Sequence, residues 1–159
     1  NLNQIQDFNW LSEEDKNVCL HNLDLIISHE NTLKFEYVIE KGECNGIFTF
    51  NHDRYGIIKI GNRVDLVDDN FIYEFKCTKE LTIENKLQLL IYAWMVTNLE
   101  DDNELKGKGF RLFNIVNNEM FELDYNENKV NEAIDLLLFN KYSDTIEITD
   151  EEFIRYINA

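Results

Sequence analysis

Apolar and polar positions along the chain fall into stretches of helical and strand period. Ser12-Glu-Glu-Asp15 has the form of a capping box, and Cys19, Leu23, Ile26 and Ile27 after it share one face, which predicts a helix to about Ser28. Strand-like runs follow at roughly 33–40, 46–50, 55–67 and 71–77. From Thr82, an N-cap by residue type, Leu87, Leu90, Ile91, Trp94 and Met95 recur at helical spacing and predict a helix over roughly 83–98. The acidic loop Glu100 to Glu104 leads to two more strands, at roughly 108–114 and 120–123. Asn126 then caps an amphipathic helix whose stripe is Val130, Ala133, Ile134, Leu137 and Leu138, and a short helix is expected over Asp150 to Ile157. This order predicts a single α/β domain over residues 1–159, with a central mixed sheet flanked by helices. Repeats and proline are both absent.

The chemistry concentrates between Gly61 and Trp94. In the strand-like FIYEFKC, residues 71–77, side chains alternate, so Glu74 and Lys76 leave one face while Tyr73, Phe75 and Cys77 leave the other. Cys77 reads as core packing on the back of that strand. Asp69-Asn70 supplies turn chemistry to the preceding strand, and such a hairpin sets Asp65 beside Glu74. Two adjacent carboxylates raise each other's pKa unless a cation joins them. Oxygen donors of this kind suit Mg²⁺ or Mn²⁺, which take one or two carboxylates together with waters and phosphate oxygens. An acid, a Glu-x-Lys and a surface lysine are also what any charged sheet face presents, and alone they would carry little weight. The helix that follows shifts the balance. Gln88 and Tyr92 lie four apart and point together, and a Gln inside QLLIYAW is costly to bury without a partner.

The combined pattern, Asp65, Glu74-Phe75-Lys76 and Gln88-x-x-x-Tyr92, resembles the RecB-like branch of the PD-(D/E)xK nuclease superfamily. The resemblance is strong over about a fifth of the chain. It implies a restriction-endonuclease-like core of order αβββαβ and a nuclease that hydrolyses DNA with Mg²⁺ or Mn²⁺ in replication, recombination or repair. Asp65 and Glu74 match the metal-binding acids, and the Phe75 backbone carbonyl falls where the family often takes a further ligand. Lys76 matches the residue that orients the attacking water, and Gln88 and Tyr92 match an accessory motif on the substrate side. The family also uses an upstream His or Glu, for which His21 and Glu36 are rivals. An inactive nuclease-like domain that binds proteins is the alternative in a different class, and a cap-snatching type of RNA endonuclease is a third reading.

Composition limits the rest. At 159 residues, 44% hydrophobic and 13% aromatic, the chain can bury a real core and is not of disordered type. No apolar run reaches membrane-spanning length, so no membrane partner is expected. Cys19, Cys44 and Cys77 are scattered, which points to reduced thiols in an intracellular protein and excludes the four-cysteine iron–sulfur cluster of some RecB-like nucleases. The net charge of −16 opposes long-range attraction to DNA, single- or double-stranded. Three accounts of that charge are open: a local cluster of Lys76, Lys79, Lys86, Lys106, Lys108 and Arg111 suffices, a fused or associated helicase does the binding, or the domain has become a protein-binding module. The initial Asn, in place of Met, favours a piece of a longer helicase or replication protein, placed in cytoplasm or nucleus. Abundant Asn, Ile, Lys and Asp point to an AT-rich genome, and the motif helix is similar to those of RecB-like nucleases of large eukaryotic viruses.

Overall fold

Local chemistry sets the element ends. The Ser12 hydroxyl accepts the Asp15 N–H at 3.1 Å and so opens helix α1 (Glu13–Asp24). The Asn85 side chain reaches back to the Thr82 N–H at 3.0 Å at the start of α2 (Ile83–Thr97). Asn126 accepts the Lys129 N–H at 3.1 Å ahead of α3 (Glu127–Tyr142). Seven strands complete the chain: β1 (Lys34–Tyr37), β2 (Ile47–His52), β3 (Gly56–Gly61), β4 (Val64–Val67), β5 (Phe71–Lys76), β6 (Gly109–Asn114) and β7 (Glu119–Glu122). This computed structural model describes residues 12–27 and 32–142. The helix expected at Asp150–Ile157 lies outside them.

The fold is α/β. Five strands form a mixed sheet in the order β1-β4-β5-β6-β7, and β2-β3 form a separate hairpin. Only β5 and β6 run parallel within the large sheet. Parallel neighbours need a long crossover, which α2 provides. It lays Leu89, Tyr92, Ala93, Met95 and Val96 on a core with Ile72, Phe110 and Leu112 from the sheet, while Val130 and Ile134 of α3 close the outside. Each of these large side chains contributes about 1.5–3 kcal/mol by leaving water. The hairpin joins the same core, with Phe48 and Phe50 meeting the Trp94 ring edge-on at 5.6 and 5.0 Å.

Three sequence expectations change. The run 55–67 is two strands in two sheets, because Asn62 breaks it. The Asn62 amide accepts the Ile39 N–H at 2.9 Å and donates to the Ile39 carbonyl at 2.8 Å, standing in for a strand partner. Helix α1 stops at Asp24, so Ile26 and Ile27 follow it rather than extend its face. Cys77 is exposed rather than packed in the core, since β5 ends at Lys76 and the chain turns outward there.

Candidate active site

The site is built at the end of β5. The antiparallel register pairs Leu66 with Tyr73 and Val67 with Ile72, and its next step sets Asp65 across from Glu74. There the ladder stops. Asp65 Oδ2 accepts the Phe75 N–H at 2.7 Å in place of a strand carbonyl. N–H and C=O of one strand residue leave the same edge, so the Phe75 carbonyl projects toward the Asp65 side. The two acids therefore sit side by side, as the hairpin reading expects.

From Glu74 a chain of hydrogen bonds crosses to α2. Lys76 Nζ donates to Glu74 Oε1 at 2.7 Å and to Gln88 Oε1 at 2.8 Å. The Gln88 amide donates to the Tyr92 hydroxyl at 2.9 Å, and that hydroxyl donates to the Arg63 carbonyl at 3.0 Å. The i, i+4 pair thus holds Lys76 at one end and the start of β4, two residues before Asp65, at the other. Gln88 escapes the burial penalty through these bonds.

Glu74 is only 5% exposed, and its Oε2 is the one buried side-chain oxygen or nitrogen without a hydrogen-bond partner among the described residues. Burial raises its carboxyl above the ordinary carboxylate value; the Lys76 bond and the nearby Tyr92 hydroxyl oppose that shift, and the Asp65 charge adds to it. Burial, then the Glu74 charge, drive the Tyr92 phenol upward as well. A buried carboxylate with one bare oxygen is an arrangement that a stable core avoids. A cation held by Asp65 and Glu74 would supply the partner that oxygen lacks.

Next to these groups lies a recess of about 420 Å³, whose lining includes Glu36, Asp65, Phe75 and Lys76 from the strands and Leu23 and Ile27 from the α1 side. Of the two upstream rivals, Glu36 lines this recess, whereas His21 is exposed on α1 and does not. The register of β1 on β4 puts Glu36 across from Asp65, but its φ of 53° takes it out of the ladder. Its carboxylate meets Arg63 at 3.0 Å instead. Among the described residues no group of three or more His, Cys, Asp or Glu side chains is placed to hold a metal ion. Two neighbouring carboxylates, with the Phe75 carbonyl on the same edge of the strand as the N–H that Asp65 accepts, would leave most positions of an Mg²⁺ ion to waters. The donor set fits such an ion.

Three members of the expected basic cluster, Lys106, Lys108 and Arg111, do not join Lys76. Lys106 Nζ is bound to the Thr97 carbonyl at 2.7 Å, and Lys108 Nζ to the Asp68 and Asp69 carbonyls at 2.8 and 2.7 Å. Arg111 stacks 3.4 Å from the Phe71 ring centre and bonds Glu122 at 2.9 Å. These residues gather near the Phe71–Gly109 end of the β5–β6 pair, about 16 Å along the strands from Lys76. Lys86 lies over the Phe121 ring at 4.9 Å. A larger hollow of about 540 Å³ at that far end is lined by Lys106, Lys108, Glu122 and Asp124, but its two lysines are already bonded to backbone carbonyls. It offers no buried group in want of a partner.

Sequence reasoning missed Arg63, whose carbonyl anchors Tyr92 and whose guanidinium holds Glu36. Its position in Gly-Asn-Arg-Val-Asp, two residues before the acid, was the only available signal. No protein-family model matches the chain, and no curated protein or solved structure matches it either. No helix among the described residues is long and apolar enough to cross a membrane.

Proposed function

We propose that this chain is a divalent-metal-dependent nuclease of the PD-(D/E)xK type, RecB-like in its motifs, that hydrolyses phosphodiester bonds in DNA. The observation that carries the reading is the bare, buried Oε2 of Glu74 beside Asp65, with Lys76 fixed between Glu74 and Gln88. The run from α1 through the strands to α2 and β6 also agrees with a restriction-endonuclease-like core of order αβββαβ, with β2 and β3 as an added hairpin.

In this reading Asp65, Glu74 and the Phe75 carbonyl hold Mg²⁺ or Mn²⁺, with Glu36 the nearer of the two upstream candidates. The cation supplies charge neutralisation at the scissile phosphate and a more acidic attacking water. Lys76 then orients that water and stabilises charge developing on the phosphate oxygens. Gln88 and Tyr92 keep the ammonium aimed and hold β4 in register. DNA is the expected substrate, and the bulk of its binding falls to an attached or associated partner such as a helicase.

The −16 charge and the dispersal of Lys106, Lys108 and Arg111 favour a second reading, an inactive acidic domain that binds proteins. Incubation with single-stranded DNA, double-stranded DNA and RNA, in Mn²⁺, Mg²⁺ or EDTA, separates the two, with Lys76→Ala as control and circular dichroism to check its fold. Metal-dependent cleavage of DNA, lost in a folded Lys76→Ala protein, is the expected result. No cleavage together with no Mn²⁺ binding by calorimetry would move the weight to the interaction domain. Cleavage confined to RNA would select the RNA endonuclease.

A further inference from the structure

Cys19 and Cys77 are 58 residues apart in sequence, and nothing in their spacing suggests a pair. The fold brings them together. Both line one recess of about 300 Å³ with Asp15, Val18 and Thr78, where burial, then the neighbouring Cys77 thiol, raise the Cys19 pKa. A second contact one helical turn along fixes the same face of α1 in the same place. The Asn22 amide donates to the Ile115 carbonyl at 2.8 Å, and the Ile115 N–H in turn bonds the Lys76 carbonyl at 2.9 Å. Cys19 and Asn22 are thus two points on one helix face, docked against the ends of β5 and β6. Cys77 is exposed, Cys19 is half-buried behind it, and Cys44 is exposed elsewhere.

We infer that Cys19 and Cys77 form a reversible disulfide, a redox modification site whose co-reactant is a small-molecule disulfide of the glutathione type. The pairing does not depend on the nuclease reading. The accessible Cys77 thiolate attacks one sulfur of oxidised glutathione and expels one glutathione thiolate. Cys19 as thiolate then attacks the Cys77 sulfur and expels the second. The protein loses two electrons and two protons, and the glutathione disulfide takes up both as two thiols. The bond would tie α1 to the residue that follows Lys76, and so fix one wall of the recess beside the candidate active site.

The test uses the whole 159-residue chain, oxidised glutathione and peptide mapping without reduction. A Cys19–Cys77 cross-linked peptide is expected as the main product, with Cys44 left as a thiol or glutathione adduct. Cys19→Ser is expected to stop at a glutathione adduct on Cys77. Because the thiols are already placed, closing a loop of about 60 residues should raise Tm on the order of 10 °C over the reduced protein. Separate adducts on Cys19 and Cys77 without a cross-link would overturn the inference. So would cross-linking of Cys77 to Cys44 as often as to Cys19, or a Tm that fails to rise when the bond forms. Loss of DNA cleavage in the first experiment would leave all of these readouts in place.

Discussion

Glu74→Gln is expected to make the protein more stable in EDTA at neutral pH. The side chain keeps its shape, and its amide oxygen still accepts from Lys76, now at 2.7 Å from Glu74 Oε1. What disappears is the charge on the carboxyl whose Oε2 lacks a hydrogen-bond partner, and with it the repulsion from Asp65. An unsatisfied buried polar group costs about 1–3 kcal/mol. The raised carboxyl pKa shows that burial, with the Asp65 charge, outweighs the Lys76 bond and favours a neutral side chain at this place. A gain of about 1–2 kcal/mol follows, or on the order of 2–6 °C in Tm for a chain of this size. The sign with pH is fixed too. Below the ordinary value of 4.5 Glu74 is protonated in both folded and unfolded states. As pH rises through the elevated folded value, wild type loses the stability that the protonated form supplied, and the gap to the Gln protein opens. On the proposed metal reading Mn²⁺ is expected to reverse the ranking, because at one hundred times its dissociation constant it would add about 2.7 kcal/mol to wild type alone. Urea melts of both proteins at pH 4 and pH 8, in EDTA and in Mn²⁺, measure all three effects. A Gln protein less stable than wild type in EDTA, with a gap that does not change with pH, would refute the reasoning.

Tyr92→Phe leaves the Gln88 amide without its acceptor and the Arg63 carbonyl without its donor, so a loss of about 1–3 kcal/mol is expected in urea unfolding, together with weaker Mn²⁺ binding as β4 loosens. Gly109→Ala puts a methyl carbon 2.6 Å from two Phe71 ring atoms, and that ring is clamped by Arg111, so about 1–3 kcal/mol of overpacking is expected in thermal melts.

Parts of the site were legible because they obey short-range periods. Alternation along β5 put Glu74 and Lys76 on one face, a tight turn at Asp69-Asn70 set Asp65 opposite, and i, i+4 spacing paired Gln88 with Tyr92. The rest depends on contacts that strand and helix periods do not encode. Asn62 ends β3 by bonding the backbone of Ile39, 23 residues earlier, and a run of strand formers through 67 carries no mark of that break. Cys77 followed the alternation on paper but lies one residue past the strand end, where the period no longer applies. The lysines after Glu104 looked like free cations, yet they tie down carbonyls at the far end of the sheet, which only the parallel β5–β6 register reveals. Which of His21 and Glu36 lines the recess likewise depends on the three-dimensional course of α1 and β1.

That dispersal of cations bears on how a chain of net charge −16 could meet DNA. Each phosphate neutralised by a Lys or Arg releases counterions, and the slope of log affinity against log salt is about −0.9 per contact on a duplex. Near the recess, Lys76 is already paired with Glu74 and Arg63 with Glu36, while Lys106, Lys108 and Arg111 are spent about 16 Å away. Few cations remain to release counterions, so the isolated chain should bind duplex DNA in Ca²⁺ weakly, with a slope no steeper than about −2. Fluorescence anisotropy across a salt series measures it. A slope near −5 or beyond would mean that this chain carries its own phosphate track, and delegation to a partner would fall. A shallow slope alongside metal-dependent cutting would place the chemistry here and the grip elsewhere, a division that lets a site of two acids and one lysine work inside an acidic shell.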